Sequence, residues 1–397
     1  MGNLTDVLVV GSGVFGIAAA LELRARGHRV ALLDSSPIPH PLAASTDIAK
    51  VVRVEYGGDE EYTTLAERAR EGWLRWNAEM FDEPLYHEVG LLKLTRGPMA
   101  TGSYEYENYR SLLARGYRLE RLTQQDIKRR FPAWNSELYV DGYLNPKGGY
   151  VESGRVVEQL FRSASAAGIV VHIGQTAVSV ETEGNRVVRV RTREGESFQP
   201  GEVLVTCGAW TPLLLPELAA LLRPVGQPIF HVVPDDPSLF EPPHFYVFSA
   251  DSARTGWYGF PFHPRAGVVK IAHHGRGWPV DPVRDTRTVP ATYVERFRAF
   301  LAETFPALAG AKIVYTRCCL YCDTPDEHFW IARHPELSGL TVAAGDSGHG
   351  FKFAPILGDL IADALERLPN RHLHRFRWRE LTRQAAGAEA SRHREAF

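Results

Sequence analysis

The sequence predicts an α/β chain in which one dinucleotide-binding unit is interrupted by insertions. Three observations carry this. Residues 7–34 read strand, glycine turn, helix, strand. Residues 153–207 read helix, strand, hairpin and returning strand. Residues 340–365 repeat the strand-to-helix passage through a second glycine-rich turn. A βα unit, a meander and a returning strand fit one dinucleotide domain broken by insertions better than domains in tandem.

The first strand, Val7–Val10, is a β-branched run of the kind buried on both faces. Gly11-Ser12-Gly13-Val14-Phe15-Gly16 then turns the chain into a helix whose apolar positions continue through Leu21 and Leu23. After Gly27-His28 a second strand over 29–33 ends on Asp34. Each part has a physical task. Gly11 allows the turn, Gly13 lets backbone approach a pyrophosphate, and Gly16 lets helix and strand pack closely. The helix N-terminus offers N–H groups and partial positive charge to phosphates, and Asp34 can accept hydrogen bonds from a ribose. The pattern points to a dinucleotide without separating NAD from FAD.

A proline-rich loop over 35–40 leads into a small, polar stretch that carries the cations Lys50 and Arg53, which either solvate a surface or face a ligand. Residues 62–80 are helical, with Leu65, Ala69, Trp73, Trp76 and Met80 on one packing face. Residues 85–95 read as a strand, and Thr123 with Asp126 caps a helix over 123–130. Ser153 is expected to cap a helix to about 167, followed by a strand at 169–172. Alternating stretches at 177–181 and 187–192 meet at Glu183-Gly184-Asn185, a hairpin pattern. A buried strand follows at 202–207. Dense proline over 223–245 marks a crossover, Tyr258, Lys270, His273 and His274 fall in strand-like stretches, and 293–305 is helical. The second turn, Gly345-Asp346-Ser347-Gly348-His349-Gly350-Phe351-Lys352-Phe353, joins a strand over 340–344 to a helix over 355–365 and offers a second helix start to a ligand. Two such turns argue for a cofactor with two ends.

Composition sets the bounds. The 397 residues allow one to three domains. Lys and Arg total 45 against 47 Asp and Glu, a net charge of −2 with no basic stripe for nucleic acid. The longest apolar stretch contains the glycines, Glu22, Arg24 and Arg26, which disqualify it as a membrane span, and no basic segment precedes it as in a signal peptide. Four cysteines, three of them at Cys318, Cys319 and Cys322, do not make a secreted disulfide framework. A reducing, cytoplasmic setting is expected.

With Lys50-Val51-Val52-Arg53, Cys319-Leu320-Tyr321-Cys322-Asp323-Thr324-Pro325-Asp326 and the second glycine turn in view, the chain resembles the FAD-dependent amine oxidases, the family of the sarcosine oxidases and fructosyl amino acid oxidases (amadoriases). The resemblance implies an FAD-binding Rossmann-like domain, from about 1–85, 145–222 and 325–370, interleaved with an antiparallel-sheet substrate domain from 86–144 and 223–324. It leaves a C-terminal tail over 371–397, expected to be mobile from Ala385 onward.

The resemblance also implies residue roles. Cys319 matches the cysteine that carries the flavin through a thioether. The alternatives fit less well: zinc wants four ligands at regular spacing, adjacent thiols point opposite ways along a strand, and a Cys319–Cys322 redox pair lacks a helix N-terminus to activate it. Lys270 matches the lysine that activates oxygen, where a preorganised cation stabilises the anion that O₂ becomes. Left unpaired in a dry site it would tend to lose its proton. His274 falls beside the substrate, Tyr258 and Tyr321 wall its cavity, and Arg53 with Lys352 holds its carboxylate. Gly11, Gly13, Val14, Phe15, Gly16 and Asp34 would hold the nucleotide, with Lys50 and Val178. Gly345, Gly348, His349, Gly350 and Lys352 would hold it from the second turn. Lys50 stands where sarcosine oxidases have arginine and amadoriases lysine.

The implied reaction is oxidation of the C–N bond of a secondary amine, an N-substituted amino acid, to an imine that hydrolyses, with O₂ reduced to hydrogen peroxide. The expected partners are a small amine and O₂, with no metal, nucleic acid or membrane, and a monomeric protein. Three other readings stand beside it. One is an NAD-dependent dehydrogenase, which has no use for the second turn or the cysteines. The others are a flavin subunit passing electrons to a partner, and a biosynthetic oxidase acting on a pathway intermediate.

Overall fold

The computed structural model of the protein describes residues 5–381 and 391–393. The expected mobility from Ala385 onward concerns residues that, apart from 391–393, lie outside the described ones.

Val7–Val10 lies at the centre of a six-stranded sheet, flanked in parallel by Val30–Asp34 and Glu202–Val205, with Val7 opposite both Val30 and Glu202. Val170–Ile173 extends it in parallel on one side and Leu340–Ala344 on the other, and Trp330–Arg333 closes that edge antiparallel. The central strands are buried along their whole length. Parallel strands demand such cover on both faces. One face packs on the helices Val14–Ala25, Ser153–Ala166 and Ala354–Glu366. The other packs on a three-stranded meander, Ala177–Glu183, Arg186–Thr192 and Ser197–Phe198.

The second sheet has nine strands. Arg223–Val233 pairs antiparallel with Lys312–Asp323 along nearly its full length and with Val269–His273 on its other side. The sheet continues through Trp257–Gly259, Val247–Ala250, Leu91–Thr95, Asp141–Asn145 and Glu120–Thr123. All pairs are antiparallel except Val247–Ala250 with Leu91–Thr95. An aromatic core including Phe230, Phe248, Phe297 and Phe305 seals it against the helix Ala291–Thr304. A small sheet pairs Gly149–Val151 antiparallel with Lys50–Val52 and with Tyr86–His87. Among the described residues no helix is long and apolar enough to cross a membrane.

Most elements sit where the pattern puts them, and three differ. The strand expected over 85–95 is two, Tyr86–His87 and Leu91–Thr95, because Gly90 takes φ +106° and redirects the chain. Ser153 is the first helical residue instead of the cap; its hydroxyl donates to the Asp47 carbonyl at 3.0 Å, and Glu152 takes the cap position. The strand over 202–207 stops at Val205, because Thr206 turns its hydroxyl to the Gly11 carbonyl at 2.6 Å.

Candidate functional site: two cavities that meet at Cys319

The first glycine turn is held by its neighbours. A Cβ on Gly16 would lie 1.9 Å from the Gly11 carbonyl oxygen, so helix and turn meet only over glycine. Gly11 itself has φ +101°. The Val14 amide donates to Ser45 Oγ at 3.0 Å, which satisfies one N-terminal donor of the helix. Asp34 Oδ2 accepts from the Ser12 amide at 2.8 Å and hydroxyl at 2.6 Å, and Oδ1 accepts from the Ser36 amide at 3.0 Å. The acid is thus fixed beside the turn.

The second turn is stitched to the strand Lys312–Asp323. Asp346 Oδ1 accepts from the Cys322 amide at 3.0 Å, and Ser347 Oγ accepts from the Thr324 amide at 3.2 Å. Burial pushes the Asp346 carboxyl up to about 6. Gly348 (φ +76°) backs onto Tyr321, whose ring fills the space a Cβ would need, at 2.0 Å.

Between the two turns runs a cavity with about 1560 Å³ of empty space, its open mouth included. Gly11, Gly13, Val14, Phe15 and Asp34 line one part of it, and Val178, Gly345 and Gly348 another. Gly16 and Gly350 do not line it and act by packing; a Cβ on Gly350 would lie 2.8 Å from the Phe15 ring. A second cavity of about 870 Å³ is lined by Arg53, Tyr258, His274, His349 and Lys352. The two share Lys50, Cys319, Tyr321, Gly348 and Phe351.

Cys319 and Tyr321 point into this junction, while Cys318 and Leu320 pack on the opposite face with Ala209 and Val280. The Cys319 thiol lies 3.8 Å from Lys50 Nζ. Burial pushes the Cys318 thiol up to about 12, so it stays protonated. His274 Nδ1 lies 3.3 Å from Tyr321 Oη, and Tyr258 packs in the same cluster as Tyr321 and Cys319. Burial holds both phenols well above their ordinary range, so they remain neutral donors.

Arg53 and Lys352 converge on Tyr56. The guanidinium stacks 4.7 Å from its ring centre, and Lys352 Nζ donates to its hydroxyl at 3.0 Å and to the His349 carbonyl at 2.7 Å. His349 Nε2 faces the Glu327 carbonyl at 3.0 Å and so carries the proton; Nδ1, 2.9 Å from Tyr56 Oη, then accepts. The Arg53 guanidinium also reaches Ser391 Oγ at 2.9 Å and bonds the Glu55 carbonyl.

Lys270 stands apart from these groups. It lines neither cavity; its ammonium donates to Asp47 Oδ2 at 2.6 Å and to the Ala49 carbonyl. Asp47 lies in turn 3.8 Å from Lys50 Nζ, so one carboxylate separates Lys270 from the junction. Burial pushes Lys270 down to about 8 despite this partner.

Lys93, Ser249, Ser252 and Gln227 also line the second cavity and were not singled out from the sequence. Lys93 had a sign, a cation inside the apolar run Leu91-Leu92-Lys93-Leu94. The serines and Ser391 had none.

Residues 6–364 match the family model described as FAD dependent oxidoreductase (DAO). The chain belongs to that family. Among relatives, it is 29% identical over 362 residues to monomeric sarcosine oxidase of Bacillus sp. (strain NS-129), covering 90% of this chain and 92% of that one. It is 28% identical over 413 residues to L-saccharopine oxidase of Schizosaccharomyces pombe, covering 94% and 93%. Amadoriase I of Aspergillus fumigatus, a fructosyl amine: oxygen oxidoreductase, superposes with a TM-score of 0.81 at 25% identity over 96% of this chain and 90% of its own. The protein is an FAD-dependent oxidoreductase, and the larger cavity fits that cofactor. A Cβ on Gly13 would find only Ser45 Oγ, at 3.4 Å, so the backbone there stays open to a phosphate. Family membership also disposes of the NAD-dehydrogenase reading.

Proposed function

We propose that the protein oxidises the C–N bond of an N-substituted amino acid and reduces O₂ to hydrogen peroxide. The observation that carries this reading is the junction itself: a dinucleotide-sized cavity opens, beside a thiol, into a second cavity with a paired guanidinium and ammonium. The relatives named above are oxidases of sarcosine, saccharopine and fructosyl amines, all secondary amines, which supports the same chemistry here.

A bound FAD would supply the redox chemistry, as acceptor for the hydride on the carbon beside the amine nitrogen and donor of the electron pair to O₂. The residues supply position and charge. Arg53 and Lys352 hold the carboxylate and so fix which carbon faces the junction. The neutral amine loses one proton as its carbon loses hydride, and water hydrolyses the resulting imine. Tyr258, Tyr321 and His274 wall the cavity as protonated donors and a ring nitrogen, and keep bulk water from the reacting carbon. Lys50 places positive charge at the junction, and Lys270 reinforces it through Asp47. Cys319 would hold the flavin through a thioether, its S–H and one C–H of a flavin methyl group being lost as two protons and two electrons that pass to O₂; its buried thiol facing the junction, with Cys318 turned away, favours it over its neighbour. A reducing compartment suits the four free thiols, and the name monomeric sarcosine oxidase borne by relatives supports a monomer.

The test is an amine panel read as peroxide with the FAD-loaded enzyme. A yellow protein that produces peroxide from N-alkyl amino acids is the expected result. A protein that stays colourless after reconstitution, or yields no peroxide with any secondary amine, overturns the reading.

A further inference from the structure

The second cavity carries a row of polar groups that amine oxidation as such does not require. Lys93 pairs in register with Ser249, Ser249 with Tyr258, and Tyr258 with Ala272. Directly paired residues share a sheet face, and all four line the cavity. Two strand spacings, about 10 Å, separate Tyr258 from Lys93. Ser252, which opens the turn Ser252–Thr255, lines the same cavity.

Ser249 Oγ and Ser252 Oγ are buried and have no hydrogen-bond partner among the described residues. A buried hydroxyl left unpaired costs free energy, which an arriving acceptor would relieve. Lys93 is 1% exposed, and its Nζ lies 4.4 Å from the centre of the Tyr104 ring, whose hydroxyl is 3.3 Å from the Arg53 guanidinium. Glu105 faces the same ammonium from the helix Tyr104–Ala114, and burial holds that carboxyl above its ordinary range. Among the described lining residues Lys50, Arg53, Lys93 and Lys352 are cationic and none is a carboxylate. One substrate carboxylate occupies Arg53 and Lys352, and Lys50 has Asp47 behind it at 3.8 Å. Lys93, with Glu105 behind it in the same way, stands on this wall beside two hydroxyls that have no hydrogen-bond partner among the described residues.

We propose that Lys93, Ser249 and Ser252 form a second anion-accepting subsite, so that the substrate is a secondary amine with an acid on each arm, an N-(carboxyalkyl) amino acid. The proposal rests on the assignment of this cavity to a secondary amine. One carboxylate lies on Arg53 and Lys352, the nitrogen faces the junction, and the second arm runs along the sheet to Lys93.

The test uses FAD-loaded enzyme and thioethers, which replace the amine by sulfur and cannot be dehydrogenated to an imine. (Methylthio)acetate is compared with (carboxyalkylthio)acetates and (hydroxyalkylthio)acetates whose second arm has two to five carbons, with binding read from the visible spectrum of the flavin. At least one diacid is expected to bind tenfold or more tighter than both the methyl and the hydroxyalkyl compounds. Ser252→Ala and Lys93→Gln, each checked for an unchanged flavin spectrum, are expected to cut that preference at least tenfold. In turnover the matching diacid amine is expected to exceed N-methylglycine at least tenfold in kcat/KM, mainly through KM. Equal or tighter binding of the monoacid or hydroxyalkyl compounds, or a preference unmoved by both substitutions, overturns the second subsite while peroxide production leaves the amine-oxidase assignment standing. No peroxide from any amine, with no spectral response to any thioether, overturns both.

Discussion

The Lys270 ammonium lies 2.6 Å from the Asp47 carboxylate, with the two side chains 1% and 3% exposed. Removing one partner of such a pair leaves a buried charge uncompensated, at a cost of about 3–5 kcal/mol. Asp47→Asn is expected to lower stability by that order in chemical denaturation, and Asp47→Asn/Lys270→Met to recover much of it. Asp47 is held far below its unfolded value of 3.8, so its contribution is complete above that pH and fades as pH falls. The acid limb of the stability profile should therefore be shallower in Asp47→Asn.

Lys270 titrates at about 8, against 10.5 when unfolded. The unfolded chain binds more protons between those values, so this group's contribution to stability rises with pH across that window. In the folded protein its charge is lost around pH 8. Air reoxidation of the reduced enzyme, followed by stopped-flow absorbance, is expected to slow as pH rises through about 8. In Lys270→Met it should be slower by roughly 10²-fold and lack that inflection.

Covalent attachment is read directly by denaturing the holoenzyme. The flavin chromophore should remain with the wild-type polypeptide and separate from Cys319→Ser, while Cys318→Ser behaves as wild type.

Charge-assisted hydrogen bonds are worth about 1.5–3 kcal/mol each. Arg53→Met and Lys352→Met are each expected to reduce kcat/KM for the amine by roughly 10- to 150-fold, chiefly through KM. Steady-state peroxide assays over a range of amine concentrations give that split.

Gly348→Ala would set a Cβ 2.0 Å from the Tyr321 ring at φ +76°. Overpacking of this kind costs about 1–3 kcal/mol, and here the displaced ring stands at the junction of both cavities. Lower thermal stability and weaker FAD retention on gel filtration are the expected outcomes.

The glycine turns were legible in the sequence because backbone geometry there admits almost no other residue. Gly11 needs a positive φ and Gly16 a contact that any Cβ would break. The opposed directions of Cys318 and Cys319 were legible for a similar reason, since a strand alternates. The environment of Lys270 was not. Its partner Asp47 lies 223 residues away, and nothing local says that the ammonium meets a carboxylate. The row of Lys93 and Ser249 was equally hidden, because it forms where strands distant in sequence pair in parallel. Lys93 alone betrayed itself, as a charge inside an apolar strand.

The pleat of Lys312–Asp323 has one more effect. The strand is zipped to Arg223–Val233 from end to end, so its parity, rather than any difference in sulfur reactivity, selects which of two neighbouring thiols meets the cofactor. Inserting one residue between Thr316 and Cys318 would exchange them, turning Cys318 inward and Cys319 toward Ala209. A frame shift of about 3.4 Å along one strand would thus relocate the proposed tether, and it would carry Tyr321 out of the junction and Leu320 into it.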